Sequence, residues 1–231
     1  MTRVDDRRVA VLPDDGVRHG GSRVERRKAR TRANLLAAAR HLFASRDVER
    51  TTVAEIAEQA DIAIGSFYNY FPTKEELLDA LIEEAQSEQL RVLRLRQEQV
   101  RDPAEKISIA HRHLVRVART DSDWAWLLVR LAFPRGVGWS VLGDTAGRDL
   151  RAGIRAGRFR VTNPTLALDA SRGALLAVIH AQLVGEGSEH ADSEHAEGVL
   201  RSLGLDPVEA AVVARRPLPE VRDRSAGGKP R

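Results

Sequence analysis

At 231 residues the chain has room for one large or two modest domains, and 42% apolar with 30% charged residues is the balance of an ordinary globular protein. No run approaches the roughly 18 apolar residues of a membrane-spanning helix, the N-terminus lacks the apolar core of a signal peptide, and zero cysteines exclude disulfides, thiolate metal sites and cysteine nucleophiles, so a cytoplasmic protein is expected. A net charge of +4 points only weakly to nucleic acid; its distribution is more informative.

Residues 1–22 are rich in Arg, Asp and Gly without helical period and read as a disordered basic arm. The first helix is expected from about Val24 to Ser45. Arg23, Arg26, Arg27, Lys28, Arg30 and Arg32 crowd its start, whereas the fourth helix opens acidic with Glu75, Glu76, Asp79, Glu83 and Glu84. Thr52 and Glu55 form a capping box that starts a second helix near Val53, with Val53, Ile56, Ala57 and Ala60 on one apolar face. A turn at Asp61-Ile62-Ala63 leads to a short helix over 65–71, where Phe67 and Phe71 seat it on the second helix and Pro72 stops it. Thr73 with Glu76 is a second capping box, opening a long helix to about Val100. Two short helices joined by a tight turn make a helix-turn-helix.

Further helices are expected from Asp102-Pro103, from Asp121 or Ser122 to the Pro134 region, and from about Ser140 to Ala156, followed by a bend at Gly157-Arg158-Phe159. Asn163-Pro164 begins a strong helix to about Val184; shorter ones follow over His190–Leu203 and Pro207–Ala214. Strand alternation and internal repeats are absent from the sequence. The expected division is an arm over 1–22, a helix-turn-helix domain over 23–72, a helical domain over 73–216 and a flexible tail over 217–231.

The run Gly65-Ser66-Phe67-Tyr68-Asn69-Tyr70-Phe71-Pro72-Thr73-Lys74-Glu75 resembles the G-T-L-Y-x-Y-F-x-S-K-E core of the TetR family of transcriptional regulators. Arg32, Leu35, Leu36, Ala38, Ala39, Leu42 and Phe43 resemble its first-helix pattern, and Thr51-Thr52 with Ile56-Ala57 the entry to its second helix, so the likeness covers residues 26 to 85. The resemblance implies an all-α fold in which a three-helix helix-turn-helix domain precedes a helical effector-binding and dimerisation domain. It further implies a repressor that holds a palindromic double-stranded operator as a homodimer and is released by a small apolar or amphipathic effector. A ligand-independent DNA-binding or architectural factor is the alternative. By the same resemblance Thr52, Tyr68 and Lys74 hold phosphates, and Ala63, Ile64, Gly65, Ser66, Asn69 and Tyr70 belong to the element facing the major groove. Asn69 can bond a base or a phosphate, or stand solvated. Ala63 stands where the family often has a hydroxyl cap, so Asp61 or a backbone arrangement must serve.

Outside that motif the candidates are fewer. Trp124, Trp126, Phe133 and Trp139 concentrate in one region of an aromatic-poor chain, as plain core or as the wall of a pocket. Leu128 lies one turn beyond Trp124, so Trp124, Leu128 and Phe133 are the expected effector contacts. Gly173, Ala177 and Ala181 repeat at helical spacing and serve either close packing within one subunit or a dimer interface, which the resemblance favours. His111 and His113, two residues apart, point to different faces and cannot chelate together; His190 and His195 read as a solvated segment. The sequence offers neither nucleophile elbow, metal motif, phosphate loop nor paired catalytic groups, so no metal, no cofactor and no enzyme activity are expected.

Overall fold

Most helix starts are set by a side-chain oxygen taking amides that the helix cannot pair internally. In α1 (Arg23–Ser45) the Ser22 hydroxyl accepts from the Glu25 amide at 3.2 Å and the Glu25 carboxylate accepts from the Ser22 amide at 2.6 Å. Thr52 and Glu55 repeat that reciprocal pair at 3.3 and 2.8 Å to open α2 (Val53–Gln59). Thr73 accepts from the Glu76 amide at 3.1 Å to open α4 (Lys74–Gln97), although Glu76 returns no bond, so only half of that expected box forms. Asp102, Asn163 and Asp206 cap α5 (Pro103–Thr120), α8 (Pro164–Leu183) and α10 (Pro207–Arg215), each with a proline in the first turn. The set is completed by α3 (Ile64–Phe67), α6 (Ser122–Arg135), α7 (Val141–Arg155) and α9 (Ala191–Ser202).

This computed structural model describes residues 22–135 and 141–221. The arm over 1–21, Trp139 and the end of the tail lie outside the described residues. The fold is all-α, with no strand among the described residues. No described helix is long and apolar enough to cross a membrane.

One apolar core runs from the first three helices into the rest of the protein. Leu35, Phe43, Ile56, Phe67 and Leu77 belong to the same buried cluster as Val115, Leu128 and Ile179, so burial continues through α4 and α6. A second cluster, with Ile107, Leu150, Phe159, Leu200 and Val213, joins α5, α7, α9 and α10. There a Cβ on Gly153 would stand 2.0 Å from the Phe159 ring, so any side chain at 153 displaces that ring.

Two local features depart from the sequence reading. The third helix ends at Phe67, and residues 68–70 continue it only as a turn whose Asn69 and Tyr70 amides bond Ser66 and Phe67 carbonyls. The 190–195 segment is not solvated throughout. Asp192 and His195 are buried, because Arg112 and Arg116 on α5 reach the Asp192 carboxylate at 3.4 and 2.7 Å and neutralise it.

Candidate DNA-binding surface and ligand cavity

The candidate contact residues of the helix-turn-helix make an edge largely open to solvent. Thr52, Ala63, Ile64, Gly65, Tyr68 and Asn69 are exposed, and Ser66, Tyr70 and Lys74 are half-buried. Ile64 and Tyr68 are large side chains left 51% and 54% open, which a fold minimising its own apolar exposure would cover. Phe67 anchors this edge: it is fully buried and its ring meets those of Tyr68 and Phe71 at 5.4 and 6.1 Å. Asp61 holds φ at 54°, the left-handed conformation that turns the chain between α2 and α3. It does not cap α3, and Ala63 makes no side-chain cap bond, so the backbone arrangement alone serves there.

Lys74 has a structural role that spacing did not reveal. Its ammonium donates to the Val48 and Thr51 carbonyls at 2.9 and 3.0 Å, fixing the loop before α2 to the start of α4. Thr52 is tied in turn: its hydroxyl donates to Glu55 at 2.9 Å, and Arg46 meets the same carboxylate at 3.0 Å. The bond from the Thr52 amide, foremost, keeps the Glu55 carboxyl below its ordinary range.

A cavity of about 80 Å³ lies deeper, between α4, α5, α6, α7 and α8. Its lining is mostly apolar and includes Leu93, Ile107, Leu114, Leu128, Ala132 and Leu175, with polar groups from Gln97, His111, Thr145, Asp149, Ser171 and Arg172. Burial raises the Asp149 carboxyl above its ordinary value, opposed by Lys106 at 3.9 Å and by Arg148. Of the expected effector contacts only Leu128 lines this cavity. Trp124 faces a separate space of about 200 Å³ between α1, α4 and α6, because Asp121 both caps its helix at the Trp124 amide and holds Arg40 of α1. Phe133 is 71% exposed and lines neither. The polar members of the cavity, His111 and Asp149 above all, were missed; they come from four helices, and no spacing within one segment signals the set.

On α8, Ala177 is exposed while Gly173 and Ala181 are half-buried. A Cβ built on Gly173 would meet nothing within 4 Å, so that small residue is not required by packing within the protomer.

Residues 35–81 match the tetR family of bacterial regulatory proteins, and residues 102–216 the tetracyclin repressor-like C-terminal domain. The solved structure of RolR in complex with resorcinol is 36% identical, with a TM-score of 0.67, over 87% of this chain and 100% of that one. The chain belongs to the TetR family. Among curated TetR-like regulators, TtgR of Pseudomonas putida is 45% identical over 53 residues and the repressor KstR2 of Mycobacterium tuberculosis 45% over 51. Those matches span only 25% and 26% of the relatives' lengths. FadR from Bacillus halodurans, at 21% identity and a TM-score of 0.63, shares the TetR-family fold across 75% of this chain and 95% of its own.

Proposed function

We propose that this TetR-family regulator is a cytoplasmic repressor that holds a palindromic operator as a homodimer and lets go when a small, neutral, phenol-like molecule enters the cavity beside Leu128 and Asp149. The observation that carries this reading is the cavity itself: apolar walls with a few convergent polar groups, in a domain whose α6 is tied to α1 of the helix-turn-helix. RolR, which binds resorcinol, supports the ligand class. The volume of about 80 Å³ is near half the roughly 150 Å³ that holds benzene in an apolar protein cavity, so a ring enters only as a wall gives way. That movement supplies the difference between two states that a ligand needs in order to switch anything.

In this reading Thr52, Tyr68 and Lys74 hold phosphates while Ala63, Ile64, Gly65, Ser66, Asn69 and Tyr70 meet the groove, with Ile64 suited to a thymine methyl. Tyr68→Phe and Lys74→Ala are expected to weaken specific and random DNA alike, and Lys74→Ala to lower the salt slope by about one unit. Because the Lys74 ammonium also serves two carbonyls, that variant should lose on the order of 1 kcal/mol of stability while Tyr68→Phe loses little. Anisotropy over a salt series with parallel melting curves measures both; unchanged affinity of both variants on both DNAs removes these residues from the surface.

Resorcinol, phenol and benzene are the first effector probes, read by calorimetry and by release of operator recovered by sequencing DNA bound to the pure protein. A phenol that binds should lower operator affinity by about 5–150-fold, the usual range of allosteric coupling. Tight binding without release would leave a ligand-independent DNA-binding factor.

A further inference from the structure

The polar groups of the cavity differ in what already occupies them. Asp149 has Lys106 within 3.9 Å, and Arg172 has Asp169 at 3.2 Å. Among the described residues His111 has no charged partner. Its Nδ1 lies 2.9 Å from Nε2 of His195 on α9, the rings tilted at 52° with centroids 4.9 Å apart. Only 9% of the residue is exposed, and among the described residues its other nitrogen, Nε2, bonds nothing. That atom is not sealed in protein either; among the described residues the buried side-chain atoms left without partners are Nε of Arg40, Arg46 and Arg96 and Oγ of Ser108. His111 lines the cavity, so its partly open Nε2 has the cavity to face.

Two neutral imidazoles sharing one hydrogen bond have two arrangements. With the proton on His111 Nδ1, Nε2 is a bare acceptor toward the cavity; with the proton on His195 Nε2, His111 accepts it and its own Nε2–H becomes a donor. We infer that His111 Nε2 anchors a hydroxyl of the ligand and that His195, outside the cavity, is a positioning residue whose tautomer sets the direction of that bond. A hydroxyl can donate or accept and so satisfies both arrangements, whereas a carboxylate or an ammonium satisfies one. Burial holds His111 down to about 3, with His195 acting in the same sense, and burial alone holds His195 to about 4, so both are neutral at neutral pH.

This inference rests on the cavity being the effector site, and the test separates the two. Full-length protein is titrated with resorcinol and with benzene, the same ring without hydroxyls, in wild type, His111→Asn and His111→Gln. Asn places its amide near Nδ1 and keeps the His195 bond; Gln reaches toward the position of Nε2. His111→Asn should bind resorcinol about tenfold more weakly, roughly one net hydrogen bond, and His111→Gln should recover most of it, with benzene indifferent to both changes. In wild type, resorcinol should shift the imidazole 15N resonances of His111 and His195 together, a response that a packing role would not give. Equal resorcinol affinity in a His111→Asn variant with wild-type melting and operator binding overturns the inference, as do 15N signals that stay fixed at saturation, and the latter decides alone if the variants do not fold. Wild type that binds benzene as tightly as resorcinol keeps the cavity as a ligand site and rejects only the anchor; wild type that binds neither ring rejects both readings.

Discussion

Acidification from pH 7 to pH 4.5 is expected to destabilise the folded protein steeply, the loss beginning well above the range where exposed carboxylates titrate. Burial holds His113 down to about 4, with Arg96 acting in the same sense, and His111 and His195 to about 3 and about 4, against an ordinary 6.5. Above that ordinary value both states are neutral at these sites. Below it the unfolded chain binds protons that the folded protein refuses, so stability falls as pH drops until the folded values are reached. Each histidine contributes about 1.4 kcal/mol per pH unit, so three acting together give at most about 4 kcal/mol per unit between roughly pH 6 and 4. Against a total stability of about 5–15 kcal/mol that is enough to unfold the protein. Asp149, whose carboxyl is raised by burial, takes up a proton more readily in the fold and offsets part of the loss. Asp102 and Asp192, lowered despite burial by their arginine and amide partners, add a further loss at lower pH. Urea midpoints at pH 7, 6, 5 and 4.5 measure the slope, and His113→Gln, facing Gln89 at 2.9 Å, should reduce it by about one proton. A midpoint flat from pH 7 to 5 would show these rings to be protonated in the fold.

Ala177→Arg is expected to give a folded monomer that no longer holds the operator. On α8 one side is buried through Ser171, Leu175, Leu176 and Ile179, whereas Ala170, Ala174 and Ala177 are exposed. The open space at Gly173 continues this outward stripe of small residues, which lets a second helix approach closely. An arginine on the exposed side should leave the protomer's melting within about 0.5 kcal/mol of wild type while separating the helices of the proposed dimer. Losing the second half-site removes the effective concentration that couples two weak contacts, so operator affinity should fall by about 10²–10⁴. Light scattering and anisotropy on one sample measure both; an intact dimer moves the interface off this stripe.

What could be read from the sequence was local. Thr, Asp or Asn followed by the right partner, or by proline, placed the starts of α2, α4, α5 and α8 within about one residue, because a cap is decided within four positions. The recognition element was read longer than it is, since Tyr68, Asn69 and Tyr70 satisfy their amides with tighter turn bonds while keeping the same chain direction. The cavity was mostly illegible. Leu128 and Trp124 share a helical face, yet α1 and α4 claim Trp124 while α5 and α8 surround Leu128, a choice made by helices distant in sequence. His111 and His195 likewise meet only once α5 and α9 pack.

The seam between α1 and α6 leaves little slack. Asp121 caps α6 and pairs with Arg40, His41 lies 3.3 Å from Asp123, and Arg130 donates to the Phe43 carbonyl at 3.1 Å, so α6 is fastened to α1 along its first turns. In the proposed reading a protomer joined this way would turn as a rigid body instead of bending at a hinge. In the proposed dimer the recognition elements would sit about 34 Å apart, one turn of DNA. Over the roughly 17 Å from the dyad to each reading edge a rotation of about 5° shifts that edge by roughly 1.5 Å and the spacing of the two by roughly 3 Å, close to one base-pair step of about 3.4 Å. Expansion of a small cavity can therefore put both reading edges out of register with the operator while each helix-turn-helix keeps its own shape.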